Sequence, residues 1–461
     1  MLAESPAFVF KRVTSSSNLK KIYEDRIVLS LARGRDGISP QMLAPTIDEL
    51  CDQLERKLAS GTFRFTQYRE MLALKGAGKA PRQLSIPTAR DRIVLRALAE
   101  FLSELYPDSQ GVIPQQRVDE VKRTLATGNR FDSFVRLDVA EFYPSIPHSS
   151  LMSAVRRRVR KPQSLLAIEG AVRTPTVPDR SGKRANVNVG VPQGIAISNI
   201  LAEMVLAPID RLMTADMRCG YFRFVDDILL LCDASNMERL ARKVQSQFAK
   251  HELLVPDLGA SPKCVSGSLS GTFDFLGYVF SGDSVSVRKS SVYNLEASLA
   301  RTFTQFRSET QAADGRPVGD GLVVEAARRL EIAVNLRITG FTHKHQECGW
   351  VQYFRQMDDY LLLKKLDATV RRFAARFRVP KSVNFREFTK TYWATRHPSW
   401  QNWGYIPNFD KMTFDKKYAL VSDMLGERKI ALLSDHEVHE QFLLIADRFS
   451  RDVERDIGTV S

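Results

Sequence analysis

Along this 461-residue chain the apolar positions fall into short runs whose period switches between helical and alternating. Ser39-Pro40 pairs a capping residue with a proline suited to a first helical turn. Ile47, Leu50, Leu54 and Leu58 then recur at helical spacing until Gly61, which predicts an amphipathic helix. Phe63 and Phe65 alternate with polar residues like a strand, and Lys75-Gly76-Ala77-Gly78-Lys79 reads as a basic, flexible loop. Arg82 to Pro87 predicts a short strand. Thr88 to Leu102 predicts a helix that buries Ile93, Leu95, Ala97, Leu98 and Phe101. Phe134 to Val139 is a second apolar strand, residues 172–190 read as a hairpin or loop, and Val191-Pro192-Gln193-Gly194 leads into a helix from Ser198 to Leu212. Tyr221 to Leu231 reads as two buried strands joined by a tight turn, followed by a helix from Met237 to His251. Strand, helices, strand hairpin, helix and further strands predict an α+β domain with an antiparallel sheet.

After Tyr278 the pattern becomes helical. Residues 291–309 and 322–338 predict two helices with a Gly/Pro-containing link. Trp350, Phe354, Met357 and Leu361, continuing through Val370, Phe373 and Phe377, form the apolar face of one long predicted helix. Arg371, Arg372, Arg376 and Arg378 interleave with that face, either as a solvated surface or as a nucleic-acid contact. Residues 392–409 hold three tryptophans and Tyr405-Ile406-Pro407-Asn408-Phe409; this predicts a compact aromatic core, with base stacking as the alternative.

One polar interruption stands out against this pattern. In Phe224-Val225-Asp226-Asp227-Ile228 two acids sit where the flanks demand burial, which is costly unless a cation or hydrogen-bond donors neutralise them. Hard oxygen ligands suit Mg²⁺, whereas the plain alternative is a solvated turn. Asp138, at the end of its own apolar strand, supplies a third carboxylate. Three acids converging on one sheet would hold two Mg²⁺ ions about 3.5–4 Å apart, with Mn²⁺ as a substitute, to activate a hydroxyl and stabilise a leaving pyrophosphate. In Asp138-Val139-Ala140-Glu141-Phe142-Tyr143-Pro144-Ser145-Ile146 the aromatic Tyr143 would lie under the sugar of a nucleotide and exclude a 2′-hydroxyl.

Composition narrows the partner. Hydrophobic residues make up 44% and charged residues 26%, which is ordinary for a globular protein. The net charge of +14 is not, and it favours a polyanion, nucleic acid above membrane. No apolar run of membrane-spanning length, signal peptide or lipidation motif is apparent, so the expectation is a cytoplasmic protein with no membrane role. Five scattered cysteines without C-x-x-C spacing predict neither a disulfide framework nor a zinc site.

Taken together these segments resemble the reverse transcriptase family, and within it the prokaryotic enzymes related to group II introns and retrons. The Phe224-to-Asp227 hairpin matches that family's metal-binding motif, and Asp138 to Ile146 its first carboxylate motif, with Tyr143 as sugar gate. Val191-Pro192-Gln193-Gly194, with Ile197-Ser198-Asn199 and the helix that follows, looks like the motif supporting the template base. Arg82 to Pro87 with Asp91-Arg92-Ile93-Val94 resembles the fingers motif, whose arginines contact the triphosphate. Pro262-Lys263-Cys264 falls where the family has a lysine near the pyrophosphate. Phe273 to Tyr278 resembles the primer grip, and Gly349-Trp350-x-x-Tyr353 with Leu366-Asp367 faintly resembles the thumb.

The resemblance implies a right-hand polymerase fold: fingers, a palm with an antiparallel sheet, a helical thumb and a helical C-terminal extension. The expected divisions are residues 1–130 as N-terminal lead and fingers, 131–290 as palm with a fingers segment at about 160–190, 291–380 as thumb and 381–461 as an extension of unassigned role. It implies RNA-directed DNA synthesis from dNTPs. Metal would be held by Asp138, Asp226, Asp227 and the Val139 carbonyl, nucleotide by Arg82, Arg92, Tyr143, Gln193, Gly194 and Lys263, and primer by Phe275, Leu276, Gly277 and Tyr278. The implied partners are a structured noncoding RNA template, the DNA product and dNTPs, with a second copy or a partner protein left open. No endonuclease signature is evident in the tail, so the resemblance points to bacterial anti-phage defence; an intron-type maturase assisting splicing and a retron-type enzyme are the alternatives.

Overall fold

The computed structural model describes residues 4–28, 30–73, 80–127, 130–178, 182, 186–311, 319–397 and 404–458. The chain divides into two compact units, Met1–Ile113 with Thr127–Leu269, and Pro114–Ala126 with Ser270–Ser461. The Lys75–Lys79 loop expected from sequence lies outside the described residues.

The first unit begins with two helices that the periodicity did not reveal, α1 (Pro6–Val13) and α2 (Ser16–Ile22), capped by the side chains of Ser5 and Ser15. A 3₁₀ run from Pro40 to Thr46 leads into α3 (Ile47–Ser60), which ends at Gly61 in a left-handed conformation, φ 73°. The strand expected at Phe63–Phe65 does not form. The Thr62 and Phe63 amides bond back to the Lys57 carbonyl at 2.9 and 3.1 Å, so this stretch closes the helix end. The two rings pack edge to face at 4.8 Å instead of alternating across a sheet. The strand comes later, as β1 (Tyr68–Ala73), antiparallel to β2 (Arg82–Ile86). Thr88 caps α4 (Ala89–Leu105). The next helix, α5 (Pro114–Ala126), belongs to the second unit.

The centre of the first unit is a four-stranded antiparallel sheet in the order β5-β6-β3-β7, from β3 (Ser133–Asp138), β5 (Cys219–Phe224), β6 (Asp227–Cys232) and β7 (Val265–Ser268). Val135, Leu137, Ile228, Leu230 and Cys232 join the large core cluster, as period-two alternation requires for one sheet face. Short α6 (Phe142–Ser145), then α7 (His148–Arg156), α8 (Pro162–Arg173), α9 (Ser198–Thr214) and α10 (Met237–Ala249) join α1 to α4 in that core. A two-residue strand, β4 (Thr176–Val177), pairs in parallel with β1.

The second unit carries an antiparallel meander, β8 (Thr272–Phe275), β9 (Tyr278–Ser281) and β10 (Ser284–Val287), and the helices α11 (Lys289–Thr310) and α12 (Asp320–Thr339). A small hairpin, β11 (Phe341–His343) and β12 (Gln346–Cys348), follows. The single long helix expected from Trp350 onward is broken into α13 (Trp350–Tyr353) and α14 (Tyr360–Arg376). Two acids cause the break. The Asp358 carboxylate accepts from the Val285 amide at 2.7 Å, while Asp359 accepts from Ser286 Oγ and caps the Leu362 amide of α14. Leu361 is consequently exposed.

Asp367, buried within α14, caps the start of α15 (Phe388–Arg396) through the Phe388 amide at 2.6 Å and Thr389 Oγ1 at 2.8 Å. Of the aromatic segment, Trp400 and Trp403 lie outside the described residues and Trp393 is exposed. Phe409 is buried, stacked on Phe341 at 4.6 Å and edge-on to Phe442 at 5.3 Å. Two further helices follow, α16 (Phe414–Leu425) and α17 (Asp435–Ile457), the latter opened by a Ser434/Glu437 capping box. Among the described residues no helix is long and apolar enough to cross a membrane.

Helix α17 is anchored by charge as well as by its apolar stripe. Buried Arg337 of α12 reaches Asp452 at 3.2 Å and Asp456 at 3.7 Å. Burial pushes the Asp456 carboxyl up to about 7, against the opposing pull of Arg337. Its folded value exceeds that of an unfolded aspartate, about 3.9, so this group adds stability below about pH 4 and the contribution is lost as pH rises through 7. Asp456→Asn should flatten the stability profile between those limits and raise the melting temperature at pH 8, as read by thermal melts across pH.

Candidate active site

Strand register brings the acids together. Asp138, the last residue of β3, is paired directly with Asp227, the first of β6. Side chains alternate across a sheet, so Arg136, Asp138 and Asp227 share the face opposite the core-facing Val135 and Leu137. Asp226 sits in the two-residue turn between β5 and β6. Its partner there, Val225, adopts φ 55°, a strained conformation for a β-branched residue. Two contacts hold the turn in that state: the Val139 amide donates to the Asp226 carbonyl at 3.0 Å, and Arg223 Nη1 donates to the Val225 carbonyl at 2.9 Å.

Arg223 is itself clamped. Its guanidinium bonds Glu203 at 3.1 and 2.5 Å and Asp210 at 2.7 and 2.5 Å, and the Tyr221 hydroxyl donates to Asp210 at 2.8 Å. Glu203 and Asp210 are two turns apart and therefore share a face of α9, while Tyr221 and Arg223 share a face of β5. The helix is thus locked to the strand that carries the turn.

The three acids meet different neutralising groups. Asp227 is fully buried and forked by Arg136, Nε to Oδ1 at 3.0 Å and Nη2 to Oδ2 at 2.9 Å. Burial still pushes it up to about 6 against the pull of Arg136. Asp138 accepts from Lys263 Nζ at 2.8 Å. Asp226 makes no ion pair among the described residues; its carboxyl is raised by burial first and by the Asp138 charge second. Lys263 and Arg82 oppose that rise from a distance.

The three expected metal ligands thus carry different partners. Among the described residues no three His, Cys, Asp or Glu side chains are grouped as a metal site. Both oxygens of Asp227 are engaged by Arg136. Asp138 and Asp226 offer hard oxygens whose mutual repulsion a shared cation would relieve. The Val139 backbone lies beside them through its bond to Asp226.

Around this pair the structure gathers most of the residues expected to hold a nucleotide. The Tyr143 hydroxyl donates to Asn199 Oδ1 at 3.4 Å, and burial, then Glu203 and Asp226, push the phenol up to about 12. Its backbone is fixed by the Val191 amide, which donates to the Tyr143 carbonyl at 2.8 Å. Gln193 accepts on its carbonyl from the Ser85 amide at 2.7 Å, bringing the Pro192-Gln193-Gly194 turn against β2, the strand of Arg82. Gly194 has φ 95°, and a Cβ there would sit 3.4 Å from the Ser85 carbonyl oxygen. Gln193 Oε1 is buried without a hydrogen-bond partner among the described residues.

Arg92 is placed elsewhere. It donates to Ser30 Oγ at 2.6 Å and to the Ala32 carbonyl at 2.5 Å, and burial lowers it to about 10, so it pins the N-terminal segment. In the second unit Phe275 to Tyr278 form the β8–β9 turn, with Leu276 at φ 52° and Gly277 at φ 81°. That turn is tied to Tyr353, whose hydroxyl donates to the Leu276 carbonyl at 3.1 Å and whose carbonyl accepts from the Tyr278 hydroxyl. Sequence reading missed Arg136, Arg223, Glu203 and Asp210. The available signal was an arginine within three positions of an acid in each segment, since a buried strand cannot leave such a cation unpaired.

Comparison with known proteins finds a family likeness. The reverse transcriptase (RNA-dependent DNA polymerase) family profile matches residues 74–280. The chain is similar to Protein YkfC of Escherichia coli (strain K12), 29% identical over 39% of this chain and 49% of that one. It is also similar to an uncharacterized 91 kDa protein in the cob intron of Schizosaccharomyces pombe, 26% identical over 38% of this chain and 22% of that one. The chain thus spans less than half the length of these curated relatives. Among solved structures, apo telomerase from Candida Tropicalis is 12% identical with a TM-score of 0.41, covering 86% of this chain and 74% of that one.

The Arg136–Asp227 fork yields a stability prediction. Arg136→Met leaves a fully buried carboxylate unpaired and should cost about 3–5 kcal/mol in urea unfolding, whereas the neutral pair Arg136→Gln/Asp227→Asn should recover most of that loss. Equal destabilisation by the single and double variants would mean the fork contributes nothing specific.

Proposed function

From a chain that carries a reverse transcriptase domain over residues 74–280, we propose that the protein is an RNA-directed DNA polymerase that extends a primer with dNTPs. The observation that carries this reading is the coupled pair Asp138 and Asp226 at the tip of β3 and the β5–β6 hairpin. In the reaction the primer 3′-oxygen forms a bond to the α-phosphorus of the dNTP, and the bond from that phosphorus to the pyrophosphate oxygen breaks. Asp138, Asp226 and the Val139 carbonyl would hold divalent ions, Mg²⁺ by their hard-oxygen chemistry, and such ions supply activation of the hydroxyl and neutralisation of the leaving charge.

The chain's own residues do the rest. Lys263, within reach of Asp138, donates to the departing pyrophosphate. Arg82 faces the triphosphate, and Gln193-Gly194 support the template base. Tyr143, held as a neutral phenol, blocks a 2′-hydroxyl. Phe275 to Tyr278 grip the primer. We assign residues 1–130 to the N-terminal lead and fingers, 131–290 to the palm with its fingers segment, 291–380 to the thumb and 381–461 to a C-terminal extension. The finer reading is synthesis on a structured noncoding RNA in bacterial anti-phage defence. Its support is the resemblance of the motifs, and sequencing the RNA and DNA that copurify with the protein tests it.

Asp226→Ala should reduce primer extension on an RNA template by about 10³-fold or more, roughly 4 kcal/mol of barrier, with an unchanged melting temperature. Substantial residual synthesis by that folded variant would sink the proposal. Tyr143→Ala should raise ribonucleotide incorporation relative to deoxyribonucleotide by about tenfold, read from the ratio of kcat/KM values.

A further inference from the structure

Between α7 and α8 the chain reads Arg156-Arg157-Arg158-Val159-Arg160-Lys161, five cations in six residues. The four arginines are exposed and Lys161 is half-buried. Among the described residues none of the five forms a salt bridge. Some exposed arginines in this unit find acids, Arg12 with Glu4 and Glu104 and Arg242 with Glu238, while Arg56 and Arg239 stand singly; nowhere else among the described residues are so many gathered in one turn. One or two cations would satisfy the C-terminal dipole of a nine-residue helix such as α7. Five exceed that need and repel one another.

The run is also built rather than loose. Val159 is fully buried in the core and plugs the turn in place. The Tyr106 hydroxyl donates to the Val155 carbonyl at 2.6 Å and accepts from the Arg158 amide at 3.1 Å, fastening the chain just past α7. The Arg158 guanidinium donates to the Leu105 carbonyl and lies over the Tyr106 ring at 5.3 Å. Lys161 lies over the Phe10 ring at 5.5 Å. What remains free to face outward is Arg156, Arg157 and Arg160. Their field extends just past α10, where the His251 imidazole is pushed down by burial first and by Arg157 and Lys250 next.

We propose that this arginine turn is a second nucleic-acid contact, distinct from the carboxylate site, which takes backbone phosphates of the RNA beyond the segment being copied. Planar guanidinium forks match phosphate oxygens, and four of the five cations are arginine. A bilayer is the poorer occupant, because the one apolar side chain of the run is buried in the core. That the nucleic acid is RNA rests on the polymerase reading; the phosphate contact itself does not.

The test uses the full chain with Arg156→Gln/Arg157→Gln/Arg160→Gln, leaving Arg158 to its structural bonds. Fluorescence anisotropy against a long hairpin RNA, without dNTPs, should show affinity reduced about tenfold or more. The slope of log affinity against log salt should become shallower by about 2–3, close to one phosphate per arginine. Extension of a short primed template and the melting temperature should be unchanged, which separates failure here from failure of the polymerase reading. The triple Arg→Lys variant should restore the salt slope while recovering only part of the affinity. Unchanged affinity and slope in the glutamine variant would overturn the proposal. So would loss of binding to phosphatidylserine-containing vesicles with RNA affinity intact.

Discussion

Burying acid at the end of a sheet is the constraint around which the first unit is organised. Asp138 and Asp227 stand opposite each other on paired strands, and Asp226 is one residue away. Three carboxylates so close cannot all remain charged in a poorly solvated place without compensation. The fold answers each one separately: Arg136 forks Asp227, Lys263 bonds Asp138, and Asp226 is left with its charge opposed only at a distance. This asymmetry leaves one acid fully forked, one singly bonded and one compensated only at a distance.

The second layer of the design is mechanical. A hairpin turn containing a left-handed valine would relax if nothing held it. Arg223 holds it from the strand side while pinned to two acids of α9, and Val139 holds it from the neighbouring strand. The position of Asp226 therefore depends on the packing of a helix that supplies no ligand. The cost of such buried ion networks is desolvation, and their return is a single geometry for the turn.

Much of this was legible in the residues. Apolar flanks around Asp226 and Asp227, and the matching strand ending at Asp138, predicted both the sheet and the meeting of acids, because period-two burial leaves few other arrangements. The contact of Gln193-Gly194 with Arg82's strand was not foreseen, because motif order carries no information on which segments pair. What failed did so for identifiable reasons. Phe63 and Phe65 mimic strand alternation, but the chain there is still closing a helix. The apolar stripe from Trp350 to Phe377 hides the break at Asp358–Asp359, since helical spacing survives a short interruption while side-chain capping does not register in it. Arg92, expected at the phosphate by motif position, is half-buried and bonds Ser30 and Ala32. The role of Arg136 was invisible for the opposite reason: a strand otherwise so apolar drew attention to its acid and not to the cation two residues earlier.

Helix α5 gives the chain an unusual order of assembly. It lies in sequence inside the first unit but packs as part of the second, where Val118 and Val121 are fully buried and Lys122 bonds the Gln356 carbonyl at 2.7 Å. The rest of its unit begins roughly 140 residues later, so at about 5–20 residues per second α5 waits on the order of ten seconds during synthesis before its partners exist. The polypeptide also passes between the two units three times, so a protease cutting at any one of these passages leaves them still joined covalently. The two units are distinct by packing but interleaved by connectivity.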